Sequence, residues 1–183
     1  MATIHSSPIQ IPLPIDDATV AIPLTRGYSA IVDAVDADLI AYKWSAYPRK
    51  NGLVYASRYF RIEPGNKGRK RRELHQIILE RMLGRQLAHG EECDHIDLDA
   101  LNNRRKNLRL ATRQQNAANR GRFVNCTSGF KGVYFDKKLS RWRAMIKVDG
   151  IKRHIGHFDT PEEAHAAYCK AAEKYFGEFA RFE

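Results

Sequence analysis

Asp94 and His95 stand side by side, and Asn107 and Asn116 follow within one polar stretch, CDHIDLDALNNRRKNLRLATRQQNAANR. A carboxylate oxygen from Asp94 and an amide oxygen from Asn116 are hard ligands, suited to Mg²⁺ or Mn²⁺ with waters in the remaining positions and unsuited to zinc. His95 has an ordinary pKa of ~6.5, so it can take a proton from water near neutral pH as a general base. A divalent ion that polarises a phosphate, beside a base that activates water, is the equipment of phosphodiester hydrolysis. By itself the dipeptide also fits a surface Asp hydrogen-bonded to its neighbouring His. Adjacent residues of a regular strand point to opposite faces, so a shared site requires the strand to end at this pair.

The elements around these residues follow from pattern. ELHQIILERMLG places Leu74, Ile77, Ile78 and Leu83 at helical spacing behind the basic run Arg69–Arg72, and Gly84 ends the helix. The Asp-His segment reads as short strand, long polar loop, short strand (LRLAT) and helix, with Thr112 as N-cap. Before it, from Ala21 to Ile62, come short strand-like segments rich in Val, Ile, Tyr and Trp, with Asn51-Gly52 as a hairpin turn and EPGNKG as a further turn. Residues 1–20, rich in Pro, read as a loosely ordered lead-in. After it, residues 121–128 mark a module boundary. KGVYFDKK, RWRAMIKV and KRHIGHF are then three strands, the last two joined by Asp149-Gly150. TPEEAHAAYCKAAEKYFG is a helix with Thr160 as N-cap, Pro161 at its first position, Glu163 completing a capping box and Gly177 after its last turn.

Length and charge bound the rest. The 183 residues leave room for small modules and not for one large enzyme core. With 43% hydrophobic and 28% charged residues the chain is not disordered throughout, and no apolar run is long enough to span a membrane. The first basic residue is Arg26, so no secretory signal is expected. Three distant cysteines, Cys93, Cys126 and Cys169, disfavour a disulfide framework or a zinc staple and fit reduced thiols in an intracellular protein. The net charge of +10 is local: residues 1–65 carry 6 basic and 6 acidic groups, residues 66–122 carry 14 and 7, and residues 123–183 carry 11 and 8. Such a concentration is the footprint of a polyanion binder, most often nucleic acid. The neutral amino-terminal third argues against strong backbone binding there.

From Leu74 to Arg120 the chain resembles the HNH nuclease family in its phage and intron homing-endonuclease version, on LHQIIL followed by the Asp-His strand end, the Asn-Asn-Arg loop, the Asn-Leu-Arg strand and the helix Asn. The resemblance makes His95 the general base, Asp94 and Asn116 the metal ligands, and Asn107 the residue that pins the loop through backbone hydrogen bonds. His75 matches a recurring family His to which no chemical step is assigned. Arg104, Arg105, Lys106 and Arg109 line the unit with Arg113, Arg120 and Arg122, and phosphate contacts are their natural use.

Residues 128–182 resemble the ethylene-response-factor (APETALA-type) DNA-binding domain, which lays a three-stranded antiparallel sheet in the major groove and backs it with one helix. Period-2 alternation agrees: Trp142, Ala144, Ile146 and Val148 would face the helix, and Arg143, Met145 and Lys147 would face outward. By family position the contact candidates are Lys131 and Tyr134, then Arg143, Met145 and Lys147, then Lys152 and His154, with Arg143 as the bidentate reader of guanine.

The expected fold is α+β: a β-rich region over 21–68, a ββα-metal nuclease core over 69–122, and a sheet-on-helix DNA-binding domain over 123–183. The expected function is a metal-dependent, site-directed DNA endonuclease of homing type that uses Mg²⁺ or Mn²⁺ and no zinc. It would act on double-stranded DNA as a monomer or weak dimer, nick one strand per monomer, and touch no membrane. Its expected setting is the cytoplasm and nucleoid of a bacterial host, with a phage gene as its source. The alternatives are a DNA-binding regulator with an inactive nuclease core and an RNA- or ribosome-associated protein.

Overall fold

The computed structural model describes residues 18–50, 52–61, 68–121 and 126–182. It mixes helices with several small sheets, and its contacts divide the chain into two units. One holds the residues up to His89 together with His95–Leu110, the other Gly90–Asp94 together with the residues from Ala111 onward.

In the first unit, β1 (Thr19–Pro23) and β2 (Ser29–Asp33) pair antiparallel from Thr19↔Asp33 to Pro23↔Ser29. Residues 19 and 20, expected in the lead-in, thus belong to a strand; residues 1–17 lie outside the described residues. A 3-10 helix, Ala34–Ala41, follows between the two segments that read as strand-like. It buries Leu39, whose carbonyl accepts from the Trp44 indole N–H at 2.9 Å. A second sheet has the order β3 (Ser45–Pro48), β4 (Val54–Arg61), β5 (Arg69–Glu73), all antiparallel. The β3–β4 hairpin turns at Gly52 (φ +84°), with its Asn51 outside the described residues, as is most of the EPGNKG turn. The basic run 69–72, grouped from sequence with the nuclease core, is instead an edge strand of this sheet. Backbone pairing with β4, from Ser57↔Glu73 to Arg61↔Arg69, outweighs its lack of apolar alternation.

Helix α1 (Leu74–Leu83) buries Leu74, Ile78 and Leu79 and ends at Gly84, which adopts the left-handed conformation (φ +66°). Strand β6 (Glu91–His95) pairs with β7 (Leu108–Thr112), and helix α2 (Arg113–Asn119) follows directly. Thr112 caps α2, its hydroxyl accepting from Gln115 N–H at 3.3 Å while the Gln115 side chain accepts from Thr112 N–H at 2.7 Å.

In the second unit, β8 (Val133–Asp136), β9 (Arg141–Val148) and β10 (Ile151–Phe158) form an antiparallel sheet with β9 central. Asp149 and Gly150 both have positive φ, which a two-residue turn matched to strand twist requires. Helix α3 (Pro161–Phe176) packs on the sheet through Ala164, Tyr168, Ala172 and Phe176. The Thr160 hydroxyl accepts from Glu163 N–H, but the Glu163 carboxylate reaches back to Asp159 N–H, one residue beyond the expected box. Gly132 lets the backbone approach α3: a Cβ there would lie 2.2 Å from the Tyr168 ring. The core of this unit also takes in Ala111 and Ala118 of β7 and α2, packed with Ile146, Val148, Tyr168, Ala172, Phe176 and Phe179. The 122/123 boundary lies outside the described residues. Among the described residues no helix is long and apolar enough to cross a membrane.

Candidate active site

Strand β6 delivers Asp94 and His95 in consecutive positions and ends there. Ile96 N–H then donates to Asn107 O at 2.9 Å, and Leu98 N–H donates to His95 O at 3.1 Å as the chain turns into the loop. Asn107 holds that loop with both ends of its amide. Its oxygen accepts from Asp97 N–H at 3.0 Å, and its nitrogen donates to Asn102 O at 2.7 Å and Asp97 Oδ1 at 2.8 Å. The loop is also tied to β2, because Ile31 N–H donates to Leu101 O and Asn103 N–H donates to Ile31 O. A long polar loop with its backbone groups paired in this way is a rigid support.

His95 is buried, with Nε2 3.3 Å from Asn103 Oδ1. The Asn103 amide nitrogen donates to Leu101 O at 3.0 Å, which fixes its oxygen toward the imidazole. An amide oxygen can only accept, so Nε2 carries a proton, and in the neutral ring the basic nitrogen is then Nδ1. Two further rings pack on His95: His75 at 4.9 Å and Tyr55 at 6.2 Å between centroids. Burial first, then the charge His95 would carry if protonated and that of Arg49, push the His75 pKa well below its usual value. Its Nε2 lies 3.4 Å from the Glu73 carboxylate, which also accepts from Arg49.

Asp94 is buried and accepts from the amide nitrogen of Asn119 at 3.0 and 3.1 Å. Asn116, expected as its companion ligand, instead donates from its amide nitrogen to Glu92 Oε2 at 2.6 Å. The two contacts follow from geometry: Glu92 and Asp94 share a face of β6 at a spacing of two, and Asn116 and Asn119 share a face of α2 at a spacing of three. The structure therefore places carboxylates and amides in two rungs. Neither Glu92, Asn119, Asn103 nor Tyr55 stood out in the sequence. The spacing signals existed for the first two, whereas Asn103 and Tyr55 reach His95 only through the fold.

Carboxylate and amide oxygens are hard donors, and this set fits Mg²⁺ or Mn²⁺. No cluster of three or more His, Cys, Asp or Glu side chains that could hold a metal occurs among the described residues. A donor set this small suits an ion that keeps several waters.

The basic candidates sort into distinct uses. Arg104, expected on phosphate, bonds Asp33 Oδ1 at 3.0 Å, and Arg105 bonds the fully buried Asp36 at 2.8 Å; both tie the loop to β2 and the 3-10 helix because the buried carboxylates demand partners. Lys131, expected on DNA, donates to Ala118 O, Arg120 O and Arg181 O at 2.6, 2.6 and 3.1 Å. It is a latch on the carboxyl end of α2, where unpaired carbonyls attract a cation. Arg113 and Arg120 are exposed, Arg109 is half-buried, and Arg122 lies outside the described residues.

On the second unit's sheet the remaining candidates share one face by register: Tyr134 opposite Arg143, Met145 opposite His154, and Lys147 opposite Lys152. Tyr134, Lys147, Lys152 and His154 are exposed, while Ala144, Ile146 and Val148 point into the core. His157 joins the row, opposite Arg143 and 4.6 Å from the His154 ring.

Residues 72–118 match the HNH endonuclease family and residues 128–178 match the AP2 domain. Over 110 residues the chain is 37% identical to a protein described as uncharacterized HNH endonuclease L560 of Acanthamoeba polyphaga mimivirus, across 59% of this chain and 55% of that protein. Over 93 residues it is 34% identical to Protein 3.8 of Escherichia phage T7, across 51% of this chain and 76% of that protein. The chain thus spans little more than half the length of the first relative. No solved structure matches it.

Proposed function

Because the chain belongs to the HNH endonuclease family and carries an AP2 domain, we propose that it is a site-directed DNA endonuclease of homing type, nicking one strand per monomer. What carries the reading is the bond of His95 to Asn103: Nε2 donates to an amide oxygen that is itself anchored, which orients the ring and makes Nδ1 its basic nitrogen, the one that would take a proton from the attacking water. His75 packs edge-on against the His95 ring at 4.9 Å between centroids and helps to hold it in place.

Asp94, with Asn116 or Asn119, would hold the divalent ion, which supplies charge neutralisation at the phosphate and the departing oxygen. Asn119 keeps both oxygens of Asp94 oriented, and Glu92 does the same for the amide of Asn116. Asn107 holds the loop that carries Asn103. The face of Tyr134, Arg143, Lys147, Lys152 and His154 is the surface we assign to the DNA duplex, with backbone contacts from the lysines and base reading by Arg143. The same proposal puts its action on DNA inside a bacterial host.

The test is a time course on supercoiled plasmid in Mg²⁺ with wild type, His95→Ala, and wild type plus chelator. Wild type alone should give relaxed circle without linear product, and His95→Ala should lower the rate about 10²–10⁴-fold without weakening a gel shift. Equal gel shifts with no relaxed product from either protein would instead identify a DNA-binding regulator.

A further inference from the structure

The β3–β4–β5 sheet gives the amino-terminal region a face that its neutral sequence charge concealed. Alternation puts Tyr47 of β3, Tyr55 and Tyr59 of β4, and Arg69, Arg71 and Glu73 of β5 on one side. The guanidinium of Arg71 stacks 4.0 Å from the Tyr47 ring centroid, and that of Arg49 lies 5.1 Å from Tyr55. Arg49 and Arg71 share a single carboxylate, Glu73, so the face keeps an excess of positive charge. It is graded along its length: Glu73 is buried beside His75, whereas Tyr59 is 58% exposed and Arg69 is exposed. At the buried end Tyr55 packs on both His75 (5.5 Å) and His95 (6.2 Å).

A row of arginines and tyrosines that begins in solvent and ends on the candidate base has the chemistry of a phosphate track, because arginine and the tyrosine hydroxyl are both backbone-contacting groups in DNA complexes. We propose that this face grips the phosphate backbone of duplex DNA next to the phosphate presented to His95, making the amino-terminal sheet a substrate-positioning surface separate from the carboxy-terminal recognition sheet. The proposal rests on the nuclease reading for what the grip achieves, and on charge and geometry alone for the grip itself.

Binding of the full chain to a short random-sequence duplex, measured by fluorescence anisotropy in chelator over a range of salt, separates the two. Each phosphate contact contributes about 0.9 to the slope of log affinity against log salt, so Arg69→Gln with Arg71→Gln should lower that slope by about 2 and weaken binding about tenfold. Lys170→Gln with Lys174→Gln, two exposed changes on α3, should leave the slope alone. Arg71 also stacks on Tyr47, so Arg69→Glu, a change of the same net charge at an exposed position outside that stack, provides a second variant that should also weaken binding. On supercoiled plasmid substrate the Gln pair should raise KM with kcat within about twofold, the pattern of lost uniform binding. Unchanged affinity and slope in folded Arg69→Glu would overturn the phosphate track even if the wild type nicks DNA. A reduced slope in a protein that never nicks would uphold the track and overturn the nuclease.

Discussion

A histidine serves as a base only through the nitrogen that lacks a proton, and in this chain Asn103 decides which one that is. Its amide is fixed by Leu101 O, so its oxygen faces His95 Nε2. Replacing Asn103 by Leu removes the acceptor and releases the tautomer; nicking should fall about 10–100-fold, the usual effect of losing an orienting partner of a functional His. Asn103→Asp keeps an acceptor but adds a negative charge that favours the imidazolium. The acid limb of the pH–rate profile should then move up by about 1 unit or more, with activity lost at a higher pH than in wild type. An unmoved acid limb in Asn103→Asp would mean that His95 is not the titrating base. Asp94, His95, Asn107 and Asn116 were picked out by residue type and spacing. Asn103 was not, because nothing in the order Leu101, Asn102, Asn103 says which of two adjacent amides turns inward; the bonds from the loop to Ile31 settle it.

At the scale of elements, the strand, loop, strand and helix around the site could be read from sequence because each carries its own local signal, above all Thr112 and Gln115 at the start of α2. Strand β5 could not: four basic residues in a row have no apolar period, and only the partner strand β4 makes them a strand. Lys131 hid its role for a related reason, since a basic residue ahead of a recognition sheet looks like a DNA contact until α2 is seen ending on it. Lys131→Met should cost about 1–3 kcal/mol in urea unfolding, because it leaves the part-buried carbonyls of Ala118 in α2 and of Arg181 without their donor. Burial, reinforced by the Arg181 charge, lowers the Lys131 pKa to about 8 from 10.5. Between those values the unfolded chain binds more protons than the folded one, so this group makes stability rise with pH from about 8 to 10.5. That rise should be missing in Lys131→Met; its persistence would show that another group titrates there.

For the whole molecule, the boundary that the sequence suggests near residue 121 does not coincide with a boundary in packing. Ala111 and Ala118 lie in one core with Ile146, Val148, Tyr168, Ala172 and Phe176, and Asp149 N–H donates to the side chain of Gln114 at 2.6 Å. Helix α2 has only seven residues, far fewer than a helix needs to persist alone in water, so its stability comes from that core. It carries Asn116 and Asn119, which means that the residues facing Glu92 and Asp94 are held in place by the domain that matches AP2. Recognition and catalysis should therefore fail differently under two kinds of change. A chain ending at Gly121 should lose nicking on every DNA, along with the helical circular dichroism of α2, even though all the candidate catalytic residues are present. The full chain with Arg143→Ala and Lys147→Ala should keep its helix content and its nicking of non-specific plasmid while losing preference among sequences, because those side chains lie on the opposite side of β9 from the core. Wild-type nicking by the truncated chain would show that α2 stands without the carboxy-terminal core, and that the nuclease segment is a module in its own right.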